Sequence, residues 1–469
     1  MRKPKPPPRV NELVDRRLSS SPADAEDIVR RILGASVAGD RYLPWDELRR
    51  RPPPDGLSSE EWWISVKLAR NGMQRALPLT GKQGAKLTYA LPDEVLRGIE
   101  MVDKHTSGRI GIPELVTHDA PTRDRYVISS LIEEAITSSQ LEGASTTHKV
   151  AKDMLRTGRK PRTRSERMIV NNYVGMLHVR EVRHEPLTPA LICKFHRIIT
   201  ERTLDDPDNC GRIQLPGDDR VVVADDEGEV MHDPPPAEEL PERLQRLCDF
   251  ANGASDTAYV PPVVRAVIAH FMLAYDHPFV DGNGRTARLL FYWSMLSQDY
   301  WLAEFLPISR LLAKAPAKYA RSFLHSEQDD GDLTYFVLYQ LGIIQRAIND
   351  LQEYLGRKVT ETRRLREGLA AMSRQFNHRQ MALLEHAIKN PGAHYTVASH
   401  GRSHNVVPQT ARTDLQNLER QGLLTRITSK RSYAWIPAED LDGRLPIGSP
   451  EVVKRSRSRP RRATPAARR

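Results

Sequence analysis

The sequence predicts a mainly α-helical protein with one β-hairpin in its helical core and a small winged helix-turn-helix towards its C-terminal end. The core is predicted because apolar residues recur with helical spacing almost throughout residues 120–360. The hairpin is predicted at residues 220–232, where β-branched residues flank the turn-forming letters DDEG. The small unit is predicted because two helical patterns after residue 375 are followed by two β-prone stretches.

These patterns divide the chain into segments of different composition. The predicted segments are an N-terminal tail with a short helix (1–40), a tryptophan-containing region (41–110), the helical core (111–360), a charged connecting helix (356–374), the winged helix (375–440) and a basic tail that we expect to be disordered (441–469).

The net charge of +10 is concentrated at the two ends of the chain. Residues 454–469 contain eight Lys and Arg and no acidic residue, and the first ten residues contain four more cations. Such basic runs are usually solvated, and only some of them bind nucleic acid. No apolar run approaches the roughly 20 residues that span a bilayer, so no membrane segment is expected. The three cysteines lack metal or redox spacing and suit a reducing cytoplasm.

The segment 277–288, HPFVDGNGRTAR, has the features of a phosphate-binding loop. It follows the apolar helix predicted at 263–275, and Pro278 discourages that helix from continuing. Gly282 and Gly284 permit the unusual dihedral angles of a loop whose backbone N–H groups converge. Such a nest at the N-terminus of a following helix binds anions.

Four side chains of this segment strengthen the prediction. Arg285 and Arg288 lie early in the second helix, where cations oppose the helix dipole by about 0.3–1 kcal/mol each, so a polyanion is expected to neutralise them. Asp281 offers a hard oxygen ligand for the Mg²⁺ of a nucleotide. His277 can act as a general base near neutral pH. Together they predict phosphoryl or nucleotidyl transfer; the alternative is a glycine-rich turn with an incidental histidine.

At every specified position the segment resembles the signature of the Fic family, HxFx(D/E)GNGRxxR. The resemblance implies a Fic-type helical core that transfers AMP from Mg-ATP to a hydroxyl side chain of a target protein. It implies that His277 deprotonates that hydroxyl and that Asp281 holds Mg²⁺ at the α- and β-phosphates. It also implies that the phosphates are cradled by Gly282, Asn283 and Gly284.

The same resemblance assigns one phosphate to each arginine. Arg285 would bind the β-phosphate and Arg288 the γ-phosphate. Related kinases of the Doc type have a lysine in place of the second glycine of the loop, so Gly284 favours AMP transfer. Phe279 is expected to anchor the loop in the core.

The hairpin predicted at 220–232 corresponds to the position of the flap in Fic proteins. An exposed strand edge can align an extended segment of a target protein by strand addition, which would bring one hydroxyl to His277. The alternative is a surface hairpin without such a role.

A helix predicted at 127–143 ends in a carboxylate. Its apolar stripe includes Ile128 and Ala135, and Glu142 continues that stripe at the same spacing of seven. Gly143 is a natural end for such a helix. From this pattern alone, a solvated helix-end glutamate is as acceptable as a buried, paired one.

The letters Ser138-x-x-x-Glu142-Gly143 resemble the inhibitory motif (S/T)xxxE(G/N) of Fic proteins. The resemblance implies that Glu142 pairs with Arg288 and prevents productive binding of the γ-phosphate. It places the chain in the class whose inhibitory helix precedes the core. In some relatives the same glutamate helps to remove AMP from the target.

Residues 375–440 contain helical patterns at 378–389 and 406–424, then a hairpin with a basic tip at Lys430-Arg431. This order resembles a winged helix-turn-helix. Base-edge contacts in such folds come from the start of the recognition helix, which here carries Gln409, Thr410, Arg412 and Thr413. The alternative is a winged helix used for protein contacts, including a homodimer.

Two functions are compatible with these patterns. The first is a self-inhibited protein adenylyltransferase that uses ATP and Mg²⁺ and acts on a target protein. The second is an ATP-sensing regulator that binds DNA through residues 375–440. An intact His277 favours the enzyme, because sensing ATP needs no general base.

Overall fold

The computed structural model describes residues 3–18, 30–32, 34, 41–54, 56–106, 120–225, 227–254, 258–372, 375–390, 392–429, 432–438 and 441. The chain forms two compact units, Met1–Glu353 and Tyr354–Arg469. The predicted boundary at 110/111, the wing tip Lys430-Arg431 and residues 442–469 of the predicted tail lie outside the described residues.

The first unit is mainly helical, as predicted. Its helices are α1 (Val10–Leu18), α2 (Trp45–Leu48), α3 (Ser59–Asn71), α4 (Asp93–Thr106), α5 (Ala120–Leu141), α6 (His148–Thr157), α7 (Arg164–Glu181), α8 (Pro189–Thr200), α9 (Leu240–Ala251), α10 (Pro262–Asp276), α11 (Asn283–Ser297), α12 (Ile308–Ala313), α13 (Pro316–Gln328) and the first part of α14 (Thr334–Met372). Its strands are β1 (Gln74–Thr80), β2 (Lys86–Ala90), β3 (Val223–Ala224) and β4 (Val230–His232). Within the described part of the chain, no helix is both long and apolar enough to cross a membrane.

The second unit contains α15 (His378–Lys389), α16 (Val397–His404), α17 (Pro408–Arg420), β5 (Leu424–Ser429) and β6 (Ser432–Pro437). Its core includes Leu384, Leu415 and Trp435. The sequence patterns did not indicate α16, which is short and contains Gly401, a residue unfavourable inside helices. The winged helix-turn-helix assignment stays a prediction, since the order of elements is compatible with it but does not by itself establish it.

The charged segment predicted as a connecting helix is helical over residues 356–372, and residues 373–374 lie outside the described residues. Residues 334–372 form the single helix α14, because no proline interrupts the helical pattern between the two units. The predicted helix is therefore confirmed over its described residues, but it is the end of a longer helix that begins at Thr334.

Helices α10 and α11 form the centre of the first unit. Every side of α10 is buried, as the apolar run at 263–275 predicted. Helix α11 packs against α7, α8 and α10, which buries its arginines together with its apolar residues. The loop that joins α10 to α11 is therefore held between two fixed helix ends.

Two short hairpins lie in the first unit. Strands β3 and β4 form the hairpin predicted at 220–232, but the ladder is short, pairing Val223 with His232 and Ala224 with Val230. Strands β1 and β2 form a second antiparallel hairpin that the sequence analysis did not anticipate. Its signal was present in the alternation of Leu77 with Leu79 in the first strand.

Helix α5 buries a slightly different face from the one predicted. Leu131, Ile132, Ala135 and Ile136 are buried, but Ile128 is 44% exposed. Val127 is buried in its place, because the buried stripe of the helix is rotated by one residue at this end. The inclusion of Ile128 in the apolar stripe is therefore wrong.

A buried ion pair ties α9 to the last turn of α10. Arg243 Nε donates to Asp276 Oδ1 at 2.7 Å, and neither side chain is more than 5% exposed. Arg243 also donates to the carbonyl oxygens of Thr80 and Gly81 at the end of β1. Burial raises the pKa of Asp276 to about 6, although Arg243 opposes the rise. The pair therefore fixes the residue directly before His277.

Replacing Arg243 by glutamine should destabilise the first unit by about 3–5 kcal/mol, because the Asp276 carboxylate would stay buried without its counter-charge. Urea unfolding of the whole chain measures the effect. The matched control is Arg246→Gln on the same helix, whose pair with Glu242 is more exposed and should contribute about 0–1 kcal/mol. Equal losses in the two variants would contradict a structural role for the buried pair.

Candidate active site

The loop between α10 and α11 begins with a histidine in an uncommon backbone conformation. His277 ends α10 with φ +46° and ψ +52°, and its N–H donates to Leu273 O at 3.1 Å. A positive φ is uncommon for a residue with a side chain. It turns the chain out of the helix at Pro278 and leaves the imidazole half-buried.

The imidazole of His277 is arranged as a base. Its Nδ1 lies 3.2 Å from the carbonyl oxygen of Ala274. Because a carbonyl only accepts, Nδ1 carries the proton and Nε2 keeps a free lone pair. Burial lowers the pKa of His277 to about 4, so the ring is neutral near neutral pH.

Phe279 and Asn283 hold the middle of the loop. Phe279 is fully buried and stacks on His196, with ring centroids 3.8 Å apart. The Asn283 side chain accepts from Phe279 N at 3.0 Å and donates to Phe279 O at 2.7 Å. The Asn283 side chain therefore fixes the loop. If Asn283 takes part in a phosphate cradle, it does so through its backbone N–H.

The two glycines of the loop have different roles. Gly282 has φ +86°, and a Cβ there would lie 2.8 Å from Thr200 Cγ2. Gly284 lies in the regular helix α11, so the predicted unusual dihedral angles are wrong for this residue. Glycine is required at position 284 because there is no room for a side chain. A Cβ there would lie 2.3 Å from Glu142 Oε1.

Arg285 is a buried cation with unused donors. It is completely buried, and its Nη1 donates to Ile199 O at 3.1 Å. Its Nε and Nη2 atoms have no hydrogen-bond partner among the described residues. Asp281 Oδ1 lies 3.7 Å from Nη2. Buried polar groups are nearly always paired, so Arg285 has the donors to bind an anion.

Arg288 is fully engaged by the end of α5. Its Nε donates to Ser138 Oγ at 2.8 Å, and its Nη2 donates to Ser138 O at 3.0 Å and to Glu142 Oε1 at 2.9 Å. Burial alone would lower the pKa of Arg288, but the Glu142 charge outweighs it and the pKa is raised. The structure therefore brings Ser138, Glu142 and Arg288 together.

Glu142 lies just beyond the last helical residue of α5, in the closing turn before Gly143, whose φ is +87°. Burial alone would raise the pKa of Glu142, but Arg288 and then Arg285 lower it below its usual value. The carboxylate is therefore an anion held beside Gly284, in the first turn of α11, where a helix N-terminus favours negative charge.

Asp281 has the character of a ligand for a hard cation. Its side chain is 46% exposed, and Oδ1 accepts from Gly282 N at 2.5 Å. Arg164 Nη2 lies 4.0 Å from Oδ2. No cluster of three metal-ligating side chains occurs among the described residues. One accessible carboxylate fits Mg²⁺, which usually keeps several waters and takes further oxygens from substrate phosphates.

Arg220 joins the β3–β4 hairpin segment to the loop. It donates to Asp276 O at 2.8 Å, to His277 O at 3.0 Å and to Pro235 O at 2.9 Å. A cavity of about 170 Å³ lies beneath the hairpin. Its lining includes Glu142, Arg288, Val223, Met231, Tyr319 and Phe323.

In the second unit, the predicted contact residues lie at the start of α17. Gln409, Arg412 and Thr413 are exposed and Thr410 is half-buried. The Thr413 hydroxyl donates to Gln409 O at 2.9 Å. They form a polar surface on the first turns of the helix.

Both acidic residues of α17 are turned away from that surface. Asp414 is buried and accepts from Arg379 Nε at 2.8 Å. Glu419 accepts from Trp435 Nε1 at 2.8 Å and lies 3.4 Å from Arg426 Nε. The two carboxylates that weaken the positive charge of this helix in the sequence are therefore paired inside the unit.

Sequence reasoning missed three residues that hold the site: His196, Arg220 and Arg243. His196 Nε2 donates to Asp281 O at 2.8 Å, and its Nδ1 accepts from Gly211 N at 3.0 Å. His196 and Arg243 are polar residues on otherwise apolar helical stripes, which is a usable signal for a buried contact. Arg220 has no comparable signal.

Residues 186–295 match the Fic/DOC family. This range contains α8, the β3–β4 hairpin, α10, the loop and most of α11, whereas Glu142 lies before it. Residues 186–295, which include the loop, are therefore similar to the Fic/DOC family.

The chain is distantly related to protein adenylyltransferases. Protein adenylyltransferase fic-1 of Caenorhabditis elegans is 32% identical over 179 residues, which are 38% of this chain and 31% of that relative. Protein adenylyltransferase Fic of Nematostella vectensis is 26% identical over 223 residues, which are 46% of this chain and 49% of that relative. The chain thus spans less than half the length of either relative.

The fold is also similar to a solved structure. The crystal structure of a Fic family protein from Desulfovibrio desulfuricans G20 covers 75% of this chain and 98% of its own, with a TM-score of 0.50 and 18% identity. At this identity the likeness establishes the Fic fold alone.

Gly284→Ala should destabilise the first unit, because the added Cβ would displace the Glu142 carboxylate and break a pair worth about 1.5–3 kcal/mol. In a Glu142→Gly background the same change should be stabilising by up to about 1 kcal/mol, since alanine is the better helix former. Urea unfolding of the four variants measures the coupling. Additive effects would mean that Glu142 does not lie against Gly284.

Proposed function

We propose that this chain is a self-inhibited protein adenylyltransferase, which transfers AMP from Mg-ATP to a Ser, Thr or Tyr hydroxyl of a target protein. The observation that carries the proposal is Arg285, a completely buried cation with two donor atoms that have no partner among the described residues. An anion at the start of α11 would satisfy these donors. The neutral His277 at the other end of the loop supplies the base that a transfer reaction requires.

A nucleotide fits the groups around the loop. Its phosphates would lie at the N-terminus of α11, where the helix dipole and Arg285 favour negative charge. The cavity beneath the hairpin begins beside Arg288 and is lined by Tyr319 and Phe323. Apolar and aromatic walls with a few polar groups are typical of sites that bind the base of a nucleotide.

The chemistry then follows from the free lone pair on His277. The target hydroxyl transfers its proton to Nε2 as its oxygen attacks the α-phosphorus. The new oxygen–phosphorus bond forms, the bond to the β-phosphate oxygen breaks in line, and pyrophosphate leaves. Arg285 stabilises the charge that develops on the leaving group. Asp281 would hold Mg²⁺, which when bound neutralises phosphate charge.

The β3–β4 hairpin would align the target. It lies over the loop, with Val222 and Val230 at 41% and 44% exposure. An extended target segment could add to its edge by backbone hydrogen bonds. Such pairing would present one hydroxyl to His277 without demanding a particular sequence.

Self-inhibition follows from the Glu142–Arg288 pair. While Glu142 occupies Arg288, the γ-phosphate lacks its partner and meets a carboxylate of like charge. ATP would then settle in a nonproductive pose. The same carboxylate is close enough to the loop to position a water molecule, so removal of AMP from the target is a second reaction of this site that we propose by the family resemblance.

Glu142→Gly should raise AMP transfer by about one to two orders of magnitude, since a charge-assisted pair of this kind contributes about 1.5–3 kcal/mol. Self-modification of the full chain with labelled ATP and saturating Mg²⁺ measures the rate. Glu142→Gln should also activate, because it removes the charge and keeps the shape.

Two further variants act as controls. Glu142→Gly combined with His277→Ala should fall back by about 10²–10⁴-fold while still binding ATP, because it loses the general base. Glu142→Gly combined with Arg288→Ala should lose most of the gain. A Glu142→Gly variant no more active than the natural chain would show that Glu142 does not inhibit.

A second function, binding of duplex DNA by the C-terminal unit, is favoured by the surface of α17. Its exposed residues Gln409, Arg412 and Thr413 are polar or cationic, while Asp414 and Glu419 are paired inside the unit. We propose that this unit is a winged helix-turn-helix whose recognition helix is α17. The enzyme would then act near, or be regulated by, a DNA site.

Arg412→Ala should weaken binding to duplex DNA about tenfold, since one good contact to a base is worth about 1–3 kcal/mol. Fluorescence anisotropy of the full chain at several salt concentrations is the measurement. Arg97→Ala on α4 is the matched control and should bind normally. A chain that ends at residue 441 separates the unit from the basic tail. Loss of all binding in that shorter chain would assign it to the tail.

A further inference from the structure

His232, the last residue of β4, lies between two acceptors. Its Nδ1 is 2.7 Å from Glu327 Oε2, and its Nε2 is 2.7 Å from the carbonyl oxygen of Tyr275. The ring is buried and lies 4.8 Å from the ring of Tyr275. The histidine therefore touches the hairpin, α10 and α13 at once.

Both ring nitrogens of His232 must donate. A carbonyl oxygen and a carboxylate have no proton to offer, so each bond needs an N–H on the histidine. Burial alone would lower the pKa of His232, but Glu327 outweighs it and the pKa is raised. His232 is therefore held as an imidazolium, in contrast to the neutral His277.

The two residues that His232 joins are close to the chemistry. Tyr275 lies two residues before His277, in the last turn of α10. The Tyr275 hydroxyl also accepts from Lys82 N at 2.9 Å, and the Lys82 ammonium pairs with Asp233. Two adjacent residues of the hairpin segment are thus tied to the same turn of α10.

The hairpin has little stability of its own. Its ladder consists of the two pairs Val223–His232 and Ala224–Val230, and isolated two-stranded hairpins are marginal in water. Its position over the loop therefore depends on contacts with the helices. Among the described contacts, those of His232 are the most buried. They also include the only charge-assisted bond from the hairpin to α13 that the structure describes.

We propose that His232 is a positioning residue for the transfer reaction: its imidazolium fixes the edge of the β3–β4 hairpin at a set distance from His277. The proposal rests on the proposed function, because the positioned object is the target segment that pairs with the hairpin. Glu327 is the partner of His232 in this role, because its carboxylate accepts from the ring and favours the charged form of the histidine.

The titratable groups that face His232 come from each neighbouring element. They are Glu327 on α13, Asp233 on its own segment, and Asp276 and His277 at the end of α10. Because the pKa of His232 is raised on folding, its contribution is fully present below the ordinary histidine pKa. It is lost as the pH rises through the raised value of the folded chain.

Hydrogen exchange of the full chain tests the contact without any assay of activity. In His232→Gln and in Glu327→Gln, the amides of β3 and β4 should exchange about tenfold or more faster than in the natural chain at neutral pH. The natural chain should approach the variants as the pH rises, after correction for intrinsic exchange. The matched control is His184→Gln, which changes an exposed histidine outside the hairpin, α10 and α13. Unchanged exchange in both variants would overturn the proposal.

Kinetics then test positioning, in a Glu142→Gly background. His232→Gln should lower the rate of self-modification with labelled ATP about tenfold to hundredfold, while ATP affinity stays unchanged. The fall in that rate with rising pH should disappear. His184→Gln should behave as its parent. If the Glu142→Gly chain itself transfers no AMP, the proposed function fails. The hydrogen-exchange result then still decides whether the His232–Glu327 contact exists. Faster exchange with an unchanged rate of self-modification would leave His232 as a stabilising residue only and overturn the positioning role.

Discussion

The buried charge of Arg288 is the constraint on which the site depends. A guanidinium near the start of a helix is opposed by the helix dipole, and a buried charge without a partner costs several kcal/mol. The end of α5 offsets both costs, because it supplies three acceptors for Arg288. These are the Ser138 hydroxyl, the Ser138 carbonyl and the Glu142 carboxylate. The position of α5 against α11 is therefore a consequence of charge as much as of apolar packing, and Gly284 leaves the space that this carboxylate occupies.

The rest of the loop is shaped by side chains that take no part in chemistry. The Asn283 side chain donates to the carbonyl of Phe279, His196 to the carbonyl of Asp281, and Arg220 to the carbonyl of His277. These bonds use the carbonyl oxygens of the loop as acceptors. They leave the imidazole of His277, the exposed carboxylate of Asp281 and the donors of Arg285 available. A rigid backbone with free reactive groups is the arrangement that preorganised catalysis requires.

The sequence predicted the elements that have a strong local signal. The apolar run of α10, the glycine-rich loop and the hairpin at 220–232 were all found, because periodicity and turn letters act over a few residues. The sequence did not predict that Gly284 is helical, that the Asn283 side chain faces inward, or that His196 and Arg243 hold the loop. His196 and Arg243 act through contacts with residues distant in the chain, Asp281 and Asp276. The Asn283 side chain bonds Phe279 only four residues away, but letters alone do not show which way it faces. The exposure of Ile128 was missed for a related reason: a helical stripe fixes the period, but the neighbouring helices decide its rotation.

Under the proposed function, Glu142 would link the stability of the free chain to the control of its activity. The carboxylate is the counter-charge for Arg288 on α11, so under the proposed self-inhibition the contact that stabilises the fold would also block the site. The strength of that proposed inhibition would be limited by the free energy of the Glu142–Arg288 pair. A ligand can shift an equilibrium only by its differential affinity for the two states, and a pair worth about 1.5–3 kcal/mol holds back about one to two orders of magnitude. We therefore expect the proposed inhibition by this one carboxylate to be graded. A target or partner that draws α5 away from Arg288 would need to supply only that amount of free energy.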